Sequence, residues 1–371
     1  MRRTTLSAVA VAALALTGSA AMAQDIQIAV VGPITGSQAA AGEQMKRGAE
    51  KALADINAKG GVLGKKLVLT IADDACDPKQ AVAAANSVVA KKVVYVDGHY
   101  CSGSSIPASS VYNEAGILQI TPASTNPKLT DDAAAKGWNN IYRVVGRDDA
   151  QGAVAGAYLA TKYKGKAVAI VDDKSAYGKG LADETKKAMN KAGLKETVYE
   201  EITAGDKDYS ALISKLKQAN IDAIYYGGYE VEAGLIVRQA REQGLKATLI
   251  SGDALVTPQF YNISGAAGDG TLMTFAPDPR NVPAAKAVVD SFKKDGFDPE
   301  GYTLYTYASM QVFVAAAEKA KSVKLDDLVK VLQSGMTFDT VVGPIKFDKK
   351  GDVLDPKYVF YVWKDGKYAE M

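Results

Sequence analysis

From Asp25 onward, short β-rich apolar runs alternate with segments whose apolar residues recur every three or four positions. Ile26-Gln27-Ile28-Ala29-Val30-Val31 reads as a buried strand that stops at Gly32-Pro33. Met45, Ala49, Leu53 and Ile56 then share one face of a helix expected over about 42–58. The next strand is expected at 67–72 and the next helix at 78–90. Further strands are expected at 93–96, 117–121, 167–171, 222–226 and 247–251, separated mostly by helix-length segments. Gly60-Gly61, Gly193 and Gly244 stand where helix C-caps belong. This alternation predicts an α/β fold of doubly wound parallel sheets with helices on both faces.

The alternation is too long for one open sheet and splits near 142–148, with about four β/α units on either side. Beyond residue 300 the rhythm changes. A long apolar helix is expected at 304–320, a hairpin at 340–352 and a last strand at 358–363. Late elements that cross back to complete earlier sheets would explain the change. No low-complexity linker is present, so the connections between the two halves should be short.

The N-terminus changes what is counted. Arg2 and Arg3, an apolar run over 6–17 and Ala21-Met22-Ala23 make a secretory signal peptide of residues 1–23. Its removal from 371 residues leaves 348 and takes away two arginines, so 42 basic residues face 42 acidic ones. A neutral exported chain lacks the basic surface that non-specific nucleic-acid binding requires. No later apolar stretch reaches the roughly 18 residues needed to span a bilayer, and no cysteine near the cleavage site offers a lipid anchor. The mature protein is expected outside the cytoplasm. There, an even pair of cysteines, Cys76 and Cys101, reads as a disulfide that stabilises the fold by about 3 kcal/mol. The alternative, a metal or redox pair, lacks C-x-x-C spacing and nearby histidines.

His99 is the only histidine, which argues against histidine-based catalysis and multi-histidine metal sites. Gly178-Lys179-Gly180 does not continue into a dinucleotide fingerprint, residues 60–65 fail the phosphate-loop spacing, and neither a nucleophile elbow nor a zinc-protease motif occurs. No cofactor is called for. The strand ends say more, because open α/β sheets bind ligands beyond the carboxyl ends of their strands. One such end carries His99, Tyr100, Cys101 and Ser102 at a helix start, a setting that favours an anion. The next carries Thr121, Ser124 and Thr125. Ordinary capping and turn chemistry explains either loop alone, whereas two on consecutive strands suit a small carboxylate. In the second half the strand ends carry Asp173 and Tyr177, then Tyr229 and Glu230, then Asp253. Glu230 reads as a first-turn acid facing a helix dipole, and an acid such as Asp253 can hold an ammonium.

Four stretches carry a resemblance: Asp55-Ile56-Asn57-Ala58-Lys59-Gly60-Gly61, Asp73-Asp74-Ala75-Cys76-Asp77-Pro78-Lys79-Gln80-Ala81, Ile202-Thr203-Ala204-Gly205 and Tyr225-Tyr226-Gly227-Gly228-Tyr229. With them the chain resembles the Leu/Ile/Val-binding proteins, periplasmic receptors of branched-chain amino-acid ABC transporters, from about residue 25 to 363. The resemblance implies a type I periplasmic-binding fold: two doubly wound lobes joined by a three-crossing hinge that closes on ligand. It implies an N-terminal lobe of 24–143 plus 277–354 and a C-terminal lobe of 144–276 plus 355–371. Ser102 and Thr125 would hold the ligand carboxylate. The Ala123 carbonyl and the Thr125 hydroxyl would meet the ammonium from the N-terminal lobe, and Asp253 would meet it from the other. Tyr177, Tyr229 and Tyr302 would line the cleft, and Cys76–Cys101 would be the family's disulfide.

The implied protein is a monomeric periplasmic receptor, not an enzyme. It delivers an aliphatic L-amino acid to an inner-membrane permease and its ATPase subunits. Alternatives are another amino acid or small carboxylate in the same fold, or a sensor subunit. Two positions depart from the pattern. Ala41 stands where leucine-type receptors carry an aromatic residue, which leaves room. Asp253 is one methylene shorter than the family's usual Glu.

Overall fold

The computed structural model describes residues 24–371, and the expected signal peptide lies outside them. Strands β1 (Ile26–Gly32), β2 (Leu67–Asp73), β3 (Tyr95–Gly98), β4 (Leu118–Thr121) and β5 (Ile141–Arg143) form a parallel sheet in the order β2-β1-β3-β4-β5. A second parallel set comprises β6 (Val168–Asp172), β7 (Val198–Glu201), β8 (Ala223–Gly227), β9 (Thr248–Ser251) and β10 (Leu272–Phe275). After the hairpin β11 (Phe338–Thr340) and β12 (Gly343–Ile345), the chain adds β13 (Val359–Lys364) and β14 (Lys367–Glu370) antiparallel at one edge. The second sheet therefore runs β14-β13-β10-β9-β8-β6-β7.

Central strands covered on both faces must be apolar almost throughout. β6 and β8 are buried at every position and β1 at all but one. Edge strands are not so constrained: β2 keeps Val68 and Ile71 exposed, and β7 reads Val-Tyr-Glu-Glu. The first sheet's third strand starts at Tyr95, two residues later than its apolar run suggests. Lys92 turns the chain there with a left-handed φ of 58°, and Val94 already donates its N–H to Gln27 at 3.0 Å before the ladder proper. The end of β3 comes close to β1. A Cβ on Gly98, whose φ is +149°, would stand 2.2 Å from the Val31 carbonyl, so only glycine fits.

The chain passes between the sheets three times. The first crossing follows β5 and enters helix Asp148–Lys162, which packs on helix Ala176–Lys191 and β10 of the second sheet. The second follows β10 and leads to helix Thr303–Ala320, which packs on helix Ala39–Ala58 and on β3 and β4. There Tyr95 stacks on Phe313 with ring centroids 4.5 Å apart. The third precedes β13. Arg143 Nε on Asp352 at 2.7 Å, with Arg147 Nη1 on the other Asp352 oxygen at 2.7 Å, ties the first crossing to the third. Cys76 and Cys101 form a disulfide with Cα atoms 5.6 Å apart, joining the turn after β2 to the start of helix Ser102–Glu114. Among the described residues no helix is long and apolar enough to cross a membrane.

Candidate functional site

The ends of β3 and β4 build one wall of the seam between the sheets. Helix Ser102–Glu114 begins without a side-chain cap, and Ser102 Oγ accepts the Asn126 N–H at 3.2 Å. Ser105 and Ser124 hydroxyls meet at 2.6 Å. His99 holds these loops and does not reach into the seam. Its Nδ1 lies 2.6 Å from Asp74, its Nε2 lies 2.9 Å from the Tyr112 hydroxyl, and its carbonyl accepts from Thr121 at 2.6 Å and Ser124 at 3.1 Å. It is a satisfied loop histidine.

The opposite wall comes from the ends of β6, β8 and β9, and Tyr302, which precedes helix Thr303–Ala320 on the first sheet's side, reaches across to it. Asp253 follows β9 and is fully buried. One of its oxygens accepts the Tyr177 hydroxyl at 2.8 Å and the other accepts the Tyr302 hydroxyl. Burial raises its pKa, and these two hydroxyls pull it back down. Tyr177 and Tyr229 have ring centroids 5.0 Å apart, and Tyr100 meets Tyr302 edge-on at 5.3 Å. With Ser102, Ala123 and Ala254 these residues enclose an inner cavity of only about 10 Å³, the scale of one water molecule. A wider vestibule of about 910 Å³ opens beyond it and shares Tyr229 with it.

Polar contacts close the seam around this cavity. The Gln38 amide, oriented by its partner, donates to Glu230 at 2.7 Å. Gln44 donates to the Val256 carbonyl at 3.1 Å and accepts the Tyr302 N–H at 3.0 Å. Asn126 donates to the Ala176 carbonyl, and a Cβ on Gly180 would stand 2.4 Å from the same Asn126 nitrogen. Glu230 does open a helix, yet it is fully buried against Gln38, and burial pushes its pKa up to about 8.

Six of the seven residues singled out in the sequence line the inner cavity: Ser102, Ala123, Tyr177, Tyr229, Asp253 and Tyr302. Thr125 does not; it is fully buried, with its hydroxyl unpartnered. Ala41 is buried and lines neither cavity. Tyr100 lines the cavity and is legible only as an aromatic at a strand end. Asp148 was not foreseen. It is fully buried, neither of its oxygens has a hydrogen-bond partner, and burial followed by the nearby Asp253 charge raises its pKa well above the usual range. Among the described residues no cluster of His, Cys, Asp or Glu is placed to hold a metal ion.

Comparison with known proteins agrees with this architecture. The periplasmic binding protein family matches residues 25–367. The chain is 47% identical to the Leu/Ile/Val-binding protein homolog 1 of Brucella melitensis, over 99% of both chains. It superposes on the leucine-binding protein LivK of Thermotoga maritima with a TM-score of 0.86 at 28% identity, covering 93% of this chain and 97% of that one. It superposes on the branched-chain amino-acid transporter substrate-binding protein LivJ of Streptococcus pneumoniae, in complex with isoleucine, with a TM-score of 0.84 at 28% identity, covering 94% and 99%. The fold is the type I periplasmic-binding fold of these structures. With nearly its whole length matched, the chain belongs to the periplasmic binding protein family.

Proposed function

We propose that this protein is a receptor that binds an aliphatic L-amino acid of the branched-chain type between its two sheets and passes it to the permease of an ABC transporter. The observation that carries the reading is Asp253: a buried carboxylate held by two tyrosine hydroxyls, sharing one small cavity with Ser102 and Ala123. A zwitterion loses strong hydration when it leaves water, so both of its charges need fixed partners. Asp253, the Ala123 carbonyl and the Thr125 hydroxyl suit the ammonium, while Ser102 at the uncapped helix start and Thr125 on the loop after β4 suit the carboxylate. Tyr177, Tyr229 and Tyr302 enclose the remainder.

The cavity is too small for any amino acid as it stands, so binding requires the lobes to part and the tyrosines to yield. The moving bodies are residues 24–143 plus 277–354 and residues 144–276 plus 355–371. Closure follows binding because only the closed form brings the two walls together on one ligand. The working protein is a periplasmic monomer released from residues 1–23 and served by a permease with ATPase subunits. It turns nothing over, and it binds no nucleic acid.

The test is calorimetric titration of mature protein, freed of carried-over ligand by unfolding and refolding, with L-leucine, L-isoleucine and L-valine. Micromolar affinity or better, about −8 kcal/mol, is expected. Silence on all three refutes the branched-chain assignment. One observation favours a second reading, another amino acid in the same cleft. The short Asp253 side chain is already engaged by two tyrosines, so a head group of different reach fits as well. Binding of such an amino acid with silence on leucine selects this reading.

A further inference from the structure

Two glutamines at the start of helix Ala39–Ala58 are buried, yet neither lines the inner cavity. Both direct their amides at the opposite wall. Gln38, which precedes the helix, donates to the two Glu230 oxygens at 2.7 and 3.2 Å. Gln44, further along the same helix, donates to the Val256 carbonyl at 3.1 Å and accepts the Tyr302 N–H at 3.0 Å. Glu230 opens the helix after β8, and Val256 ends the short turn that begins at Asp253. Both acceptors therefore belong to the second sheet's side, whereas the donors belong to the first.

The platform that carries the glutamines is fixed to its own wall. A Cβ on Gly48 would stand 2.2 Å from the Thr303 carbonyl, so this helix lies directly against the helix that follows Tyr302. Gly301 makes the next close approach. Its φ is +56°, and a Cβ there would stand 2.4 Å from Gln44 Oε1 and 2.7 Å from the Val256 carbonyl, so only glycine lets the three meet. An amide has separate donor and acceptor ends. Gln44 uses its acceptor within its own wall, on Tyr302, and its donor across the seam, beside the place where the Tyr302 hydroxyl meets Asp253.

We propose that Gln38 and Gln44 are positioning residues that form a clasp: their amides grip the second wall only when the cleft is shut, and so set how long the ligand stays. When the walls part, both cross-seam donors lose their partners to water, while the bond from Tyr302 to Gln44 persists. A hydrogen bond made only in the closed form stabilises that form alone. Capture starts from parted walls and does not feel the clasp, whereas release must first break it, so its contribution falls on koff. Gln44 also holds the Tyr302 backbone while that tyrosine's hydroxyl engages Asp253, which couples the clasp to the head-group site without touching the ligand. The inference rests on the amino-acid-receptor reading and names the groups that govern its closure.

The test is stopped-flow measurement of L-leucine binding and release at pH 7 for wild type, Gln38→Leu, Gln44→Glu and the double variant. Leucine at 38 removes the donor and leaves the backbone bonds alone. Glutamate at 44 keeps the acceptor for Tyr302 and loses the donor to Val256; Gln44→Met replaces it should it not fold. Each single variant is expected to raise koff about three- to tenfold, the net range for one amide hydrogen bond, with kon within about twofold of wild type. The double variant should approach the product of the two, because the glutamines share no partner. A merely structural role would show in urea unfolding of the ligand-free protein and would not separate the two rates. Unchanged koff in both single variants overturns the proposal, and so does a weaker affinity carried by kon. Wild type silent on leucine, isoleucine and valine alike is a different result: there the receptor reading itself fails, and the clasp falls with it.

Discussion

Replacing Arg143 with leucine tests the cluster that joins two of the three crossings. The guanidinium is fully buried and makes four hydrogen bonds: to Asp352 at 2.7 Å, to the Ser124 carbonyl at 2.7 Å, to the Asn126 carbonyl at 3.1 Å and to the Thr130 hydroxyl at 2.9 Å. Leucine removes all four. Asp352 keeps Arg147 and Thr130 and the Asn126 carbonyl keeps the Leu129 N–H, while the Ser124 carbonyl loses its donor. Deleting one partner of a buried ion pair costs about 3–5 kcal/mol, and each stranded buried acceptor about 1–3 kcal/mol. Within one network such losses overlap, so about 4–6 kcal/mol is expected in place of their sum. That is a large share of a total stability on the order of 5–15 kcal/mol. Arg143→Lys keeps the charge but not the planar fork, and should recover less than half of the loss. Urea unfolding followed by tryptophan fluorescence measures both variants. A loss below about 1.5 kcal/mol for the leucine variant, or a lysine variant as stable as wild type, would refute the argument that the fork holds the crossings and the loop together.

Three further outcomes follow from the same geometry. Glu230 carries a folded pKa of about 8 against an ordinary 4.5, so the folded state keeps the proton longer. Its contribution to stability is full below about 4.5 and is lost as pH rises through about 8. Glu230→Gln should therefore match wild type at acid pH and gain on it steadily between pH 5 and 9 in chemical unfolding; parallel curves would contradict the shift. Replacing Cys76 and Cys101 together with serine opens a loop with a sequence separation of 25 and should lower stability by about 3.5 kcal/mol, read against wild type with and without reductant; indistinguishable curves would refute it. Asp253→Ala should weaken L-leucine binding at least tenfold, and far more than Glu230→Ala, because Asp253 lines the inner cavity while Glu230 answers Gln38. Equal affinities by calorimetry would remove Asp253 from its assigned role.

The parts of this molecule legible in its sequence are those whose cause is local. β1, β6 and β8 are apolar because both faces are covered, and the Pro78–Ala90 helix announces itself by a proline in its first turn after the Asp77 cap. β5, β7, β10 and β14 were not foreseen. Each is three or four residues long, and β7 and β14 are half polar because they lie at the edges of the second sheet. The same division runs through the site. Ser102 and Asp253 could be picked out because strand ends are where such folds place ligands, whereas their roles, and Ala123 itself, came from the resemblance to the Leu/Ile/Val-binding proteins.

Asp148 could not be named in that way, because what makes it unusual is the company it keeps. Thr125 comes from the end of β4, Asp253 from the end of β9 and Arg143 from β5. These residues meet only once the chain has crossed between the sheets. The long-range ties say the same: Gln44 reaches Val256 across 212 residues and Arg143 reaches Asp352 across 209. A carboxylate in an Arg-Asp-Asp run at a helix start reads as exposed dipole chemistry until the crossing buries it. Local pattern thus assigns the two walls of the seam, whereas the protonation and hydrogen-bond polarity of the groups between them are decided by the three crossings.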